Sequence, residues 1–135
     1  MEKYVISADI FESDIYLFIG ERNEFVEHLE KKYNLSCDKQ IDRSAGFAFR
    51  FIGGDDVDYG YAIWIEKFDY SVESYPVLAH ECLHIADFML KDRQIKETEE
   101  NNEILAYTFD FIFRSFLKKI KNKRSKNGRK KQNKR

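Results

Sequence analysis

The chain has 135 residues, enough for one domain with a core and too few for two of ordinary size. Hydrophobic residues make up 43% and aromatics 16% of it, which excludes a disordered composition. The formal net charge of −1 conceals a division: residues 118–135 hold eleven Lys or Arg and no acid, so a body at −12 precedes a tail at +11.

The opening "MEKYVISADIFESD" is charged and does not read as a signal peptide. "VIS" within it is a short strand candidate. "DIYLFIG" (Asp14–Gly20) is an apolar run closed by glycine and predicts a strand. "RNEFVEHLEKKYN" (Arg22–Asn34) spaces Phe25, Val26, Leu29 and Tyr33 as a helix does, with Asn23 as N-cap. "GFAFRFI" (Gly46–Ile52) alternates Phe47, Phe49 and Phe51 with small or charged residues, the period of a strand. "GGDD" is a turn, and "YGYAIWIE" (Tyr59–Glu66) is a second strand that pairs with the first as a hairpin.

A helix follows, with Ser74 as N-cap and Pro76 in the first turn, where its missing N–H does no harm. Val77, Leu78, Leu83, Phe88 and Met89 carry it to about Lys91. "KDRQIKET" is a polar connection. The last helix starts between Thr98 and Asn102 and runs through "EILAYTFDFIFRSFL". The tail has no apolar periodicity and is expected to be disordered. The elements predict an α+β fold, a small twisted mixed or antiparallel sheet packed on helices. One domain over residues 1–117 precedes the basic tail, 118–135. No stretch reaches about 20 apolar residues, so no transmembrane helix is expected. The two cysteines, Cys37 and Cys82, make no disulfide framework, and a reducing, cytoplasmic compartment is expected.

The stretch "VLAHECLHIADFML" carries the chemistry. His80 and His84 are two of the chain's three histidines. Residues i and i+4 share a helix face, so both imidazoles can reach one Zn²⁺ ion. Glu81 can take the proton of a zinc-bound water as general base. A third ligand is needed. The longer pattern HExxHxxGxxH fails here, because Asp87 stands at the glycine and Leu90 at the third histidine. A glutamate from the next helix completes the His₂Glu alternative, and "ENNEILAY" offers Glu103, with Glu100 or Glu99 as alternatives. Tyr107 and Asp110 follow Glu103 on one helix face. Asp87 or Asp110 could accept the other ring N–H of a metal-bound histidine, and Tyr107 or Tyr75 could stabilise an oxyanion. His28 reads as a surface residue and Cys82 as a small buried one.

HExxH on one helix with a glutamate on the next resembles the zincin-like metallopeptidases in their gluzincin branch. "HECLHIADFML" followed by "ENNEILAY" is similar to small single-domain metallopeptidases of bacteriophages and prophages, over roughly Ile63 to Phe113. The resemblance implies a minimal zincin-like fold, one Zn²⁺ cofactor, and a peptide or protein substrate in a bacterial cytoplasm. It also implies that the strand before the HExxH helix lines the cleft, which places Tyr61, Ala62, Ile63 and Trp64 there.

An alternative reading is a zincin-folded metal-binding interaction protein with little or no peptidase activity. Its tail would bind nucleic acid weakly and without sequence preference through Lys123, Arg124, Lys126, Arg129, Lys130 and Lys131. Attachment to a membrane is not expected, because burial in the core explains the aromatic face of "FDFIFRSFL" more simply.

Overall fold

The computed structural model describes residues 1–33, 44–51 and 60–133. Four strands and three helices lie along them. β1 (Glu2–Ala8) turns through a 3₁₀ segment (Asp9–Phe11) into β2 (Ser13–Ile19), and α1 (Arg22–Tyr33) follows. Then come β3 (Gly46–Phe51), β4 (Gly60–Ile65), α2 (Ser74–Asp92) and α3 (Asn102–Asn133). The fold is α+β. The sheet is mixed, in the order β1-β2-β4-β3, with β2 and β4 parallel and the two outer pairs antiparallel. The expected turn at Gly53–Asp56 and Cys37 lie outside the described residues.

Strand alternation sorts the side chains into two cores. On one face, Ile6, Ile15, Leu17, Ile63 and Ile65 meet Leu78, Cys82, Ile85 and Met89 of α2 and Ile112, Phe116 and Ile120 of α3. On the other, Phe18, Ala62 and Trp64 meet Phe25 and Leu29 of α1, with Trp64 stacked on Phe25 at 5.7 Å. All of β4 is buried, because helices cover both of its faces.

Polar contacts fix α2 at both ends. Before it, hydrogen bonds from the Ser71 hydroxyl, the Ser74 hydroxyl and the Ser71 N–H hold the Asp69 carboxylate well below the usual range. Tyr70 between them sits at φ 61°, left-handed backbone that this network holds in place. Ser74, expected as the N-cap, is already the first helical residue, and Glu73 occupies the cap position. Ser74 instead donates its N–H to the Ser71 carbonyl and hydroxyl. After α2, Gln94 takes the left-handed position (φ 60°) that closes the helix. Arg93 beside it reaches back to the Met89 carbonyl and across to the Ser13 hydroxyl, both at 3.1 Å. Asp92 accepts from the Tyr61 hydroxyl at 2.6 Å and from Arg50 at 3.0 Å.

The basic segment expected to be disordered is helical: α3 continues to Asn133. Lys and Arg are good helix formers and no proline interrupts them. Ile120 is buried, and Arg124 pins the next turn to Glu2 (2.8 Å) and to the Phe68 carbonyl. Among the described residues no helix is long and apolar enough to cross a membrane.

The Arg124–Glu2 pair has a pH signature. Burial opposes ionisation of Glu2, but hydrogen bonds with Arg124 and Tyr4, together with the Arg124 charge, outweigh it and lower its pKa. A depressed carboxylate stabilises the fold above its unfolded value, about 4.3, and loses that contribution as pH falls through the folded value. Arg124→Met is therefore expected to be less stable than wild type at pH 7. The gap should narrow below about pH 4 in urea titrations run across pH. A gap constant from pH 7 to pH 3 would show that Glu2 contributes nothing.

Candidate active site

The seat of α2 decides what its polar residues do. Leu78, Cys82, Ile85, Ala86 and Met89 point into the core. His80 and His84 lie on the opposite side of the helix and are exposed. Their Nε2 atoms stand 3.0 Å apart. Two imidazole nitrogens bound at about 2.0–2.1 Å to one tetrahedral zinc lie about 3.3 Å apart, so the pair is close to a ligating arrangement. With no ion, the same approach is a hydrogen bond in which one ring donates its Nε2–H to the other. Phe88, one turn on, stacks on the His84 ring at 6.2 Å, and the Arg50 guanidinium covers Phe88 at 4.2 Å. His84 is thus braced from β3.

Glu81 lies between the exposed face and the core, 7% exposed. Burial pushes its carboxyl pKa up, and the charge of the adjacent His80 opposes this only in part. The start of β3 forms its wall. A Cβ placed on Gly46 would come within 3.1 Å of the Glu81 Cγ and 3.1 Å of Ile65. A glycine opening a phenylalanine-rich strand is the sequence sign of such a close approach, which periodicity alone does not reveal.

The substrate-cleft residues are placed otherwise than expected. Tyr61, Ala62, Ile63 and Trp64 belong to β4, which is paired on both sides and covered on both faces. Extended peptide cannot add to a central strand. The Tyr61 hydroxyl is engaged with Asp92, and the Trp64 indole N–H donates to the Gly20 carbonyl at 3.0 Å. Among the described residues, the terminal strand beside α2 is β3.

The polar stripe of α3 also points elsewhere. That helix buries Thr108, Ile112, Phe116 and Ile120, so Glu103, Tyr107 and Asp110 fall on its outer side. Tyr107 is 70% exposed, and Asp110 pairs with Arg114 at 2.8 Å. Glu103, Glu100 and Glu99 are exposed and do not join the histidines. Among the described residues, no three His, Cys, Asp or Glu side chains are grouped closely enough to hold a metal ion. The structure therefore assembles two donors and a buried carboxyl, and does not bring Glu103 to them.

Asp87 does lie one turn beyond His84, but it accepts a hydrogen bond from Lys91 at 2.8 Å. It also shares one with Glu97, in the connection between α2 and α3. Burial works against ionisation of Asp87, yet the bonds to Lys91 and Glu97 hold its pKa low. The bond to Asp87 and its charge push Glu97 up. Of the remaining candidates, His28 packs on Phe18 (5.5 Å) across the sheet from α2, and Tyr75 meets Phe68 edge-on at 5.2 Å. Cys82 is fully buried, and burial raises its thiol pKa, as expected of an inert core residue. In the basic segment, Lys123 donates to the Lys3 carbonyl at 3.3 Å and Arg124 pairs with Glu2, while Lys126, Arg129, Lys130 and Lys131 are exposed.

No protein-family model, no curated protein and no solved structure matches the chain.

The Gly46–Glu81 approach gives a direct test of the site's wall. Gly46→Ala is expected to cost about 1–3 kcal/mol, the usual cost of overpacking, as Glu81 and Ile65 shift to admit the methyl. Urea denaturation measures it. Unchanged stability would mean that β3 does not press on Glu81.

Proposed function

We infer that the chain is a zinc-dependent peptidase worked by His80, Glu81 and His84. The observation that carries this reading is the pair of Nε2 atoms 3.0 Å apart on an exposed helix face, beside a buried carboxyl with a raised pKa. His80 and His84 suit zinc as two of its ligands. The rest of the coordination would come from water and from oxygen donors outside this group, since Glu103 does not join the histidines. Bound zinc would supply an acidified water at neutral pH.

The chain's own groups do the remaining work. Glu81 accepts the water's proton on its carboxylate and returns it to the leaving amine. Close approach of Gly46 limits the rotamers of Glu81 and so restricts its aim. β3, at the end of the sheet and beside Glu81, is the strand along which an extended substrate would add at residues 46–49. That replaces β4 as the substrate wall.

The second reading is a metal-binding interaction protein with little or no catalysis. It is favoured by Tyr107, which lies on the outer side of α3, and by Tyr75, whose ring packs edge-on against Phe68.

Elemental analysis and peptide hydrolysis separate the two. Chelator-free protein should hold about one zinc per chain, and His80→Ala or His84→Ala should lose it. Glu81→Gln should keep the metal while hydrolysis of a protein substrate falls about 10²–10⁴-fold. Zinc retained with no hydrolysis by wild type would favour the second reading. Absence of zinc binding would remove both.

A further inference from the structure

We propose that the C-terminal part of α3 is a duplex-DNA-binding helix that enters the major groove. Nine Lys or Arg and no acid lie in residues 118–133. After Ile120 no apolar side chain follows, and apart from Arg124 every residue from 121 to 133 is exposed. The last anchor to the body is Arg124, so nine residues, about 13 Å of helix, project beyond it.

The distribution of charge chooses the partner. At about 100° per residue, Lys121, Arg129, Lys126, Lys130 and Lys131 fall near 0, 80, 140, 180 and 280° around the axis. Cations therefore face more than one side of the helix, those beyond Arg124 spanning about 200° of its circumference. A membrane surface would need an apolar face, and there is none. An acidic protein surface would engage one side and leave the other cations unused. The major groove of B-form DNA, about 12 Å wide, admits a helix of about 10–12 Å diameter and flanks it with phosphates on both sides. Continuous basic helices dock in this way. A-form RNA closes its major groove to a helix, and single strands are held by stacking on aromatics that this segment lacks.

Two further features fit. Like charges three and four residues apart, such as Lys126 with Arg129 and Lys130, repel along the helix, and phosphates relieve that repulsion. The body carries −12 and repels DNA, which confines contact to the projecting helix. This inference does not rest on the peptidase reading.

The test is fluorescence anisotropy of the full chain with a labelled 20-base-pair DNA duplex, at about 50 mM salt and upward. The duplex should bind at least tenfold tighter than duplex RNA, single-stranded DNA, polyglutamate or anionic vesicles. The triple variant Lys126→Ala, Arg129→Ala, Lys130→Ala should flatten the slope of log affinity against log salt by about 2–3. Gly128 adds a test of helical form, since a side chain there meets nothing within 4 Å. Gly128→Pro keeps every charge and breaks the helix, and affinity should fall at least tenfold. Gly128→Ala should bind as well as wild type or better. Equal affinity for any competitor, no duplex binding at low salt, or wild-type affinity in Gly128→Pro would each overturn the proposal.

Discussion

Everything at the candidate site follows from how α2 is seated. Five small and medium apolar side chains, Leu78, Cys82, Ile85, Ala86 and Met89, fill one side of the helix and lock it onto the sheet. With that side committed, helical geometry leaves no freedom for the others. His80 and His84 must face outward, and Glu81 must lie on the flank, against β3. Gly46 makes the close approach of β3 sterically allowed. Arg93, Asp92 and Tyr61 fix the far end of the same helix. A shift of α2 along or about its axis would take the Glu81 carboxyl out of its seat against β3.

Most of the fold was legible because each element carries its own periodicity. The phenylalanine alternation of β3, the apolar run of β2 and the helical spacing of α1 all appear where the sequence places them. The order of strands was not legible, since a hairpin between β3 and β4 does not say which of the two neighbours β2. Both faces of β4 are apolar, and that pattern marks a central strand. Such a strand, paired on both sides and buried, cannot be a cleft wall. The histidine pair was legible in full, because i and i+4 spacing is enforced by the helix itself.

The face of α3 was misread for a related reason. Its sequence offers apolar residues on more than half its circumference, from Ile104 and Leu105 through Phe109, Phe111 and Ile112 to Phe116. A minority polar stripe on such a helix looks as though it should face a polar partner. The helix instead lies with Thr108, Ile112, Phe116 and Ile120 inward, and the stripe of Glu103, Tyr107 and Asp110 is its solvent side. The basic segment was underestimated because it lacks apolar periodicity. Helix propensity and one anchor at Arg124 suffice to continue a helix already begun in the core. One element thus serves the core in its first half and presents dense positive charge in its second.

The central claim is that His80 and His84 together bind zinc. X-ray absorption at the zinc edge, on full-length protein purified without chelator, tests it most directly. The account predicts two imidazole nitrogens at about 2.0–2.1 Å, with oxygen donors completing the shell, and loss of the imidazole signal in a His80→Ala, His84→Ala double variant. Thiolate scattering at about 2.3 Å, or imidazole scattering that survives in the double variant, would contradict it.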